Sequence, residues 1–430
     1  MIVNPQVPLH RLILSLSEAL DYVHPQVVGH QHRVAYIATN MARSLGLRGL
    51  DLLNMFNAAA LHDIGIIGVE NRVKALHWKQ IEAVSWHPEA GFELLRDNPL
   101  FAEAAGFIRY HHGSWADGRG AESDGRPVPL ASHILTLADA VERKIDRNTP
   151  VLQQAESITQ EVASVSGKEF HPDCVHAFRR VSQPEAFWLD TVSERIYSVL
   201  LRQMDWPILT IDEAAIGSIA QLFGRIVDAA SRWTSLHSAG VTATAVALAE
   251  RFRFSPRELH SMRAAGYLHD LGKLSVPTAI LDKPATLTRA EMNVVKEHTY
   301  HTFRILDTIG GMPQICEWAA FHHERLDGSG YPFRHTSENL TLGSRIMAVA
   351  DVFTAVAEDR PYRPGMSSQE ALEVMERLAA DGGVDGDVVA VLKREYDAVD
   401  AVRRDEQAVY GKKQKHLAWF MEERVAVPTA

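Results

Sequence analysis

Residues His322 to Pro332 have the sequence HHERLDGSGYP, in which two adjacent histidines lead into an acidic loop that contains glycine. Core packing does not require such a stretch, whereas a metal site with an attached substrate loop explains both parts of it. The same half of the chain contains five further residues of ligand type, namely His237, His269, Asp270, His298 and Asp351. Together with His322 and His323, they predict a cation site built from imidazoles and carboxylates.

The same pattern of ligand-type residues occurs in the first half of the chain. Its members are His30, His62, Asp63, His87, His111, His112 and Asp139. The offset between the two series is 207 residues at the first member and 212 at the last. Because seven residues keep their order and nearly keep their spacing, we interpret the chain as an internal duplication. We predict two domains, 1–205 and 206–430, because Pro207 interrupts helical periodicity and Thr210 or Asp212 can cap the next helix.

Apolar residues recur at helical spacing in most segments, which predicts an all-α fold. Residues Glu258 to Leu271 are expected to form one helix that holds His269 and Asp270 in its last turn and ends before Gly272. The charged segment Lys393 to Glu423 predicts a further helix with a solvated or partner-facing surface.

Composition excludes several other classes of protein. The net charge of −10 argues against a nucleic-acid-binding surface. Two cysteines are too few for a disulfide framework or a thiolate metal centre, and we expect both to be packed thiols in a reducing compartment. No segment reaches the roughly 18 uncharged apolar residues that a membrane span needs. We therefore expect a cytoplasmic protein without a membrane span.

The ligand set of the second half divides between two cations. A carboxylate has two oxygens and can bridge, so Asp270 is the natural shared ligand. We assign His237, His269, Asp270 and Asp351 to one metal, and Asp270, His298, His322 and His323 to the other. Thiol-free, histidine-rich ligation favours iron or manganese and leaves zinc, nickel, cobalt and magnesium open.

Two cations about 3.5–4 Å apart acidify a bridging water and neutralise the oxygens of a phosphate, which predicts phosphoester hydrolysis. Lys273 follows His269 by one helical turn and can reach a phosphate oxygen. Arg360 and Arg363 offer forked donors for the same kind of group.

Residues Leu222 to Leu392 resemble the HD-GYP domain of bacterial signalling proteins through HDLGK, the lone His298, HHERLDGSGYP, AVADVF and DRPYR. The resemblance implies two tandem helical domains of the HD type, a non-haem dinuclear centre and hydrolysis of cyclic di-GMP to linear pGpG or onward to GMP. Some members of the family prefer 3'3'-cyclic GMP-AMP. The implied catalytic residues are Asp270 and Lys273, and the implied substrate-binding residues are Lys273, Arg360, Arg363, Gly330, Tyr331 and Pro332.

The resemblance also concerns partners and metal number. The loop that carries Tyr331 is linked to partner binding in the family, which implies a diguanylate cyclase (GGDEF) or another signalling protein as partner, and a homodimer. Family members with a third metal carry a glutamate four residues before the first histidine and an acid three residues after the last aspartate. Trp233 and Thr354 occupy these positions here. We therefore expect two metals, and hydrolysis onward to GMP is in doubt.

The first half resembles the same domain more weakly, across Gly29 to Phe178, and lacks the residues that handle phosphate. Ile66 stands in place of Lys273, Gly113 in place of Glu324, Ala121 and Glu122 in place of Tyr331 and Pro332, and Pro150 in place of Arg363. Our hypothesis is a degenerate domain with a regulatory or structural role and a second metal site, without catalysis of its own.

Two other functions are consistent with the sequence. One is a different nucleotide phosphohydrolase of the wider HD class. The other is a signalling scaffold whose site binds a cyclic dinucleotide or a partner without turnover. The GYP loop and the two arginines favour the cyclic-dinucleotide phosphodiesterase over the first, and the complete ligand set with Lys273 favours it over the second.

Overall fold

The structure, a computed structural model, describes residues 7–21, 28–66, 85–203, 207–231, 236–359 and 364–425, with side chains of the last helix described to 412 and at 414. By internal contacts the chain divides into two compact units, built mainly from Leu9–Leu209 and Thr210–Trp419. The predicted boundary at 205/206 lies outside the described residues.

The first unit is helical. Its α-helices are Leu9–Asp21, His30–Ser44, Gly49–Leu61, His87–Leu95, Ala102–Arg109, Leu130–Lys144, Val151–Ser164, Pro172–Val181, Glu185–Thr191 and Ile196–Arg202. A 3-10 segment, Ala116–Ala121, leads into a short antiparallel pair of strands, Glu122–Ser123 and Arg126–Pro127. Buried side chains such as Leu12, Phe56 and Phe178 form its core.

The second unit repeats this plan. Its α-helices are Glu213–Ala229, His237–Arg251, Pro256–Leu268, Thr278–Leu281, Arg289–Ile309, Pro313–Ala320, Leu342–Ala357, Ser368–Ala380, Gly386–Arg394 and Tyr396–Val425. The strand Val7–Pro8 also belongs to this unit and pairs antiparallel with Thr210–Ile211, Val7 opposite Ile211. Asp212 caps the first helix by accepting from the backbone N–H of Ala215. The predicted all-α fold in two tandem units is confirmed.

The helix predicted over Glu258 to Leu271 ends earlier than expected, so that prediction was wrong at its C-terminus. The helix is Pro256–Leu268, and its start is fixed by a capping box between Ser255 and Glu258. His269 and Asp270 follow the helix end, and a 3-10 segment, Leu271–Ser275, continues the chain. The change of backbone direction lets adjacent side chains turn toward one point.

A close backbone contact fixes the turn that follows this helix. A Cβ atom at Gly272 would lie 2.0 Å from the carbonyl oxygen of His298, so only glycine fits. In the first unit a Cβ at Gly65 would lie 2.2 Å from the carbonyl oxygen of His87. In each unit the turn after the His-Asp pair therefore packs directly on the helix that carries the next histidine.

The last helix exposes one side to solvent, as its charged sequence predicts, and buries the other. Val399, Arg403, Gln407 and Tyr410 are all buried. The Arg403 guanidinium is neutralised by Asp400 and also donates to the side-chain oxygen of Gln407. The prediction of a solvated surface holds for the exposed side, which includes Asp397, Arg404 and Asp405. Pairing among polar side chains allows the opposite side of the helix to be buried.

Two further expectations concern the cysteines and membrane-spanning segments. Cys174 and Cys316 are buried free thiols, as predicted. None of the helices that the structure describes is both long enough and apolar enough to cross a bilayer.

Gly272→Ala should destabilise the protein by about 1–3 kcal/mol, because the new methyl group must displace backbone rather than a flexible side chain. Gly217→Ala is the matched control, since a Cβ there meets no atom within 4 Å on its helix. The control should be neutral or stabilising by about 0.5–1 kcal/mol. Urea denaturation of both variants measures this, and equal stability would contradict the packing argument.

Candidate metal centre

The structure brings together all seven ligand-type residues that the sequence predicts in the second unit. His237 is the first residue of its helix, and His269 and Asp270 follow the end of theirs. His298 lies within Arg289–Ile309, and Asp351 within Leu342–Ala357. His322 and His323 follow the helix Pro313–Ala320. Five segments of the unit thus converge on one site.

Asp270 stands between two groups of histidines. Its Oδ2 lies 3.2 Å from Nε2 of His269, and Nε2 of His237 lies 3.0 Å from Oδ1 of Asp351. The other oxygen of Asp270, Oδ1, lies 3.4 Å from Nε2 of His298 and 3.8 Å from Nε2 of His322. Each oxygen therefore faces a different group, which is the arrangement that a bridging carboxylate requires.

The histidines are oriented by hydrogen bonds on the side away from this centre. Nδ1 of His269, His298 and His322 bonds to the carbonyl oxygen three residues earlier, at 2.8, 2.6 and 2.7 Å. A proton on Nδ1 leaves Nε2 as a lone-pair donor that points inward. Such outer hydrogen bonds are typical of metal-binding histidines.

Buried polar atoms at the centre have no hydrogen-bond partner among the described residues. They are Nε2 of His269 and Oδ1 of Asp270. Leaving such atoms unsatisfied in a protein interior is costly, whereas a cation between them would satisfy both. The donor set therefore fits a metal ion.

The protonation states of His298 and Asp270 agree with this fit. For His237, by contrast, burial is outweighed by Glu358 and Asp351, which raise its pKa to about 10. Burial lowers the pKa of His298 to about 3, so this imidazole is neutral. Burial opposes ionisation of Asp270, but His269 and Lys273 outweigh it and hold the pKa of this carboxyl well below its usual range. Neutral imidazoles and ionised carboxylates are the forms that bind metals.

His323 occupies the open side of the centre. Its side chain is 29% exposed, and its Nδ1 lies 3.7 Å from Oδ2 of Asp351. With His298 and His322 it also forms one of the groups whose donor atoms could share an ion. It borders a cavity of about 310 Å³ that Lys296, Arg325 and Tyr331 also line.

The predicted substrate loop lies beside His323. The ring of Tyr331 is 5.0 Å from the imidazole of His323, and the ammonium of Lys296 lies 5.1 Å from the tyrosine ring. A Cβ at Gly330 would lie 2.4 Å from the backbone nitrogen of Arg325, which explains glycine there. Pro332 follows in the same loop.

Glu324, the acid that Gly113 replaces in the first half, holds this loop. Its carboxylate accepts hydrogen bonds from the backbone N–H groups of Phe333 and His335, at 2.7 and 3.0 Å. Its role is therefore to position the loop against the histidines.

Not every predicted residue can be placed. Arg360, Arg363 and Trp233 lie outside the described residues. Lys273 forms an ion pair with Asp270 and is 17% exposed. Thr354 is fully buried, and its hydroxyl lies 3.5 Å from that of Thr244.

Sequence reasoning missed a carboxylate that supports the first histidine. Glu358 lies 3.1 Å from Nδ1 of His237, and its other oxygen accepts from Gln407 at 3.3 Å. Glu358 follows Asp351 by seven residues, which is two helical turns, so helical periodicity could have indicated it. The contribution of Gln407 had no signal in the sequence, because it comes from the last helix.

The first unit also brings its seven predicted residues together. Nε2 of His30 lies 3.3 Å from Nε2 of His62 and 3.4 Å from Oδ1 of Asp139. Asp63 turns Oδ2 toward His62 at 3.4 Å and Oδ1 toward His87 at 3.2 Å. His111 and His112 complete the group around His87, with Nε2 separations of 3.2 and 3.1 Å.

Arginines pair with carboxylates of the first cluster, whereas a lysine, Lys273, pairs with Asp270 in the second. Nε of the buried Arg143 lies 2.7 Å from Oδ1 of Asp139. Glu142 accepts from His30 through Oε2 and from Arg33 and Arg147 through Oε1. Sequence reasoning missed these groups, although Glu142 follows Asp139 by three residues on the same helical face.

Comparisons with known proteins agree with this geometry. Residues 221–388 and residues 27–144 each match a family model described as an HD domain. The chain is 31% identical over 398 residues to 3'3'-cGAMP-specific phosphodiesterase 1 of Vibrio cholerae, across 90% of this chain and 92% of that relative. The chain belongs to the HD-GYP family.

Other HD-GYP relatives cover different shares of the chain. A cyclic di-GMP phosphodiesterase of Pseudomonas aeruginosa is 38% identical over 144 residues, which are 33% of this chain and 35% of that relative. A crystal structure of a cyclic GMP-AMP-specific phosphodiesterase of V. cholerae has a TM-score of 0.62 and 25% identity, and the match covers 92% of this chain and 98% of that chain. HD domains are metal-dependent, in keeping with the clusters in both units.

Glu358→Ala should weaken metal binding about 10- to 100-fold, because the imidazole of His237 loses the group that orients it. The measurement is equilibrium metal titration of the full chain. Glu358→Gln should retain more affinity, since its amide oxygen can still accept from His237. Glu373→Ala, an exposed acid of the same unit, is the control and should bind metal normally. Unchanged affinity in Glu358→Ala would show that His237 needs no such support.

Proposed function

We propose that this protein is a metal-dependent phosphodiesterase that hydrolyses a cyclic dinucleotide at the cluster of the second unit. The observation that carries the proposal is the placement of Asp270, whose two oxygens face two separate groups of inward-pointing histidine Nε2 atoms. The relatives named above support the substrate class, because they are named as phosphodiesterases of cyclic dinucleotides.

We propose that His237, His269, Asp270 and Asp351 hold one ion, and that Asp270, His298, His322 and His323 hold the second. When bound, such a pair activates a water and neutralises phosphate oxygens. Iron or manganese suits this thiol-free set best, with nickel, cobalt, zinc and magnesium as alternatives. The outer hydrogen bonds of His269, His298 and His322 keep the imidazoles in the required orientation.

Lys273 contributes positive charge where the phosphate is cleaved. Its ammonium lies on the Asp270 carboxylate, so a phosphate held next to Asp270 is within its reach. A charge-assisted hydrogen bond from an ammonium strengthens as charge develops on the phosphate oxygens. Arg360 and Arg363 are proposed to contact the second phosphate group, in agreement with the family motif.

The loop with Gly330, Tyr331 and Pro332 forms one wall of the substrate cavity. Glu324 fixes this loop, and the ring of Tyr331 stands next to His323. An aromatic face at this position can stack on a nucleobase. The same loop is our proposed surface for a diguanylate cyclase (GGDEF) or another signalling protein, and we propose a homodimer.

Among cyclic dinucleotides, 3'3'-cyclic GMP-AMP is the substrate we favour. The relative that matches 90% of this chain is named as specific for it, whereas the P. aeruginosa cyclic di-GMP phosphodiesterase matches 33%. Cyclic di-GMP, which the motif alone favours, is the second candidate. Thr354 supplies no carboxylate for a third metal, so we propose the linear dinucleotide as the product.

The two halves of the chain are proposed to have different roles. We propose that 206–430 is the catalytic domain and that 1–205 is a degenerate HD-like domain with a regulatory role. Ile66 is fully buried and apolar where Lys273 stands in the second half. We also propose that His30, His62, Asp63, His87, His111, His112 and Asp139 bind metal, since Oδ1 of Asp63 is buried without a hydrogen-bond partner among the described residues.

Lys273→Ala should lower turnover of 3'3'-cyclic GMP-AMP about 10- to 100-fold and leave metal content unchanged, because it removes a charge-assisted contact to phosphate but no ligand. Turnover is measured with iron or manganese under reducing conditions on a panel of 3'3'-cyclic GMP-AMP, cyclic di-GMP, nucleoside triphosphates and guanosine tetraphosphate. Lys283→Ala, which removes a surface ion pair with Glu291, is the control. Turnover of mononucleotides alone would favour another HD phosphohydrolase, and tight binding without turnover would favour a scaffold.

The metal site of the first unit can be tested in the full chain. Asp270→Ala should remove both ions of the second unit and abolish activity, while metal bound by the first unit remains. Adding His62→Ala should then remove that residual metal, as measured by elemental analysis. A metal-free Asp270→Ala chain after metal-replete expression would end the proposal of a first-unit site.

A further inference from the structure

The first unit contains a cavity that neither metal cluster uses. Its volume is about 760 Å³, which lies within the usual range of small-molecule sites. Its walls include apolar side chains such as Val28, Ile145 and Val192, while Arg33 and Arg147 reach it from two different segments. The cavity is thus large enough for a nucleotide and has an apolar wall for a base.

The two guanidinium groups are positioned by one buried carboxylate. Arg33 Nε and Arg147 Nη2 lie 2.6 and 2.8 Å from Oε1 of Glu142. The other oxygen of Glu142 accepts from His30. One carboxylate therefore holds two guanidinium groups side by side at the cavity.

Arg33 retains donor capacity for a ligand. Its Nη2 is buried and has no hydrogen-bond partner among the described residues, while its side chain is 11% exposed. A Cβ at Gly29 would lie 2.7 Å from Nη1 of Arg33, so the glycine leaves room for the guanidinium. A phosphate oxygen in the cavity can accept from the part of this guanidinium that lines the wall.

Arg147 also favours a nearby anion. Burial lowers its pKa, and the neighbouring Arg33 cation lowers it further, although Glu142 opposes both effects. Its side chain is 38% exposed, so a ligand can approach it. The helix Val151–Ser164 begins at the cavity and has no side-chain cap, which adds the positive end of a helix dipole.

Two acids, Asp146 and Glu194, also line the cavity, and their positions favour a nucleotide over inorganic phosphate as the ligand. Asp146 is occupied by its own loop, since it accepts from Asn148 and Thr149. Glu194 is exposed and lines the cavity, where it would repel a second phosphate but can accept from an amino group or a sugar hydroxyl. Phosphate, an apolar ring and hydrogen-bond donors occur together in a nucleoside monophosphate.

The glutamate that supports the first histidine has different partners in the two units. Glu142 is bonded to Arg33 and Arg147, whereas Glu358 is bonded to Gln407. In the second unit Gly240 stands at the position of Arg33, and a Cβ there would lie 2.6 Å from Nε2 of Gln407. The neutral amide of Gln407 thus occupies that space and binds Glu358. Arg33 is therefore a feature of the first unit.

We propose that the cavity of the first unit binds a nucleoside monophosphate through Arg33 and Arg147, as a regulatory site separate from the catalytic centre. The bound phosphate shares these guanidinium groups with Glu142. Since Glu142 also holds His30, occupancy of the cavity is linked directly to the first metal cluster. The inference extends the regulatory role proposed for this half and does not require that the second unit be active.

The test is calorimetric titration of the full chain with GMP, AMP and inorganic phosphate. Arg147→Ala should weaken nucleotide binding about tenfold or more, the loss expected for one charge-assisted contact. Val192→Trp should do the same by filling the cavity from an exposed position, with all arginines retained. Arg126→Ala, an exposed arginine outside the cavity, and Lys273→Ala in the second unit are the controls and should keep the same binding.

Several results would overturn the proposal. Absence of nucleotide binding in the parent chain at concentrations on the order of 1 mM would do so. Binding that survives both Arg147→Ala and Val192→Trp, or that is lost in Lys273→Ala, would place the nucleotide elsewhere. Inorganic phosphate that binds as tightly as GMP would contradict the nucleotide assignment. Turnover of cyclic dinucleotides, measured separately, tests the catalytic proposal independently.

Discussion

The direct backbone contact at Gly272 is the constraint on which the arrangement of the site depends. Without a side chain there, the turn after His269 and Asp270 rests on the carbonyl of His298. This contact places donors from two distant segments within a few ångströms of one another. Because Gly65 makes the same contact with His87, the constraint is a property of the fold and not of one unit.

Around this contact the two units have the same histidine and aspartate ligand-type residues. They differ in the groups that pair with the carboxylates. Both orient histidines through carbonyl oxygens and a buried glutamate. In the second unit, Glu358 is held by the amide of Gln407, and the ammonium of Lys273 lies on the carboxylate between the two histidine groups. In the first unit, arginines hold the carboxylates. Positive charge thus lies beside Asp270 in one half and around an adjacent cavity in the other.

The difference has a simple physical basis. An ammonium next to Asp270 can assist a phosphate held beside it, whereas the apolar Ile66 at the same position cannot. The guanidinium groups of Arg33 and Arg147 are instead held on Glu142. This carboxylate contacts Nδ1 of His30, on the side of the ring away from Nε2. Both halves therefore keep the same cluster of histidines and aspartates, while the cations beside it, Lys273 in one half and Arg33 in the other, stand at different positions.

The sequence alone determined the duplication, the helical fold and the residues of both clusters, because ligand chemistry restricts residue type and the helical repeat preserves spacing. Even the turn after Asp270 was indicated by Gly272, although the helix ends sooner than periodicity suggests. Only the tertiary structure decided which groups support the cage. Glu358 is paired with Gln407 across 49 residues, and Glu142 with Arg33 across 109. Pairings of buried charges over such separations depend on how helices pack, and no local pattern in the chain encodes them.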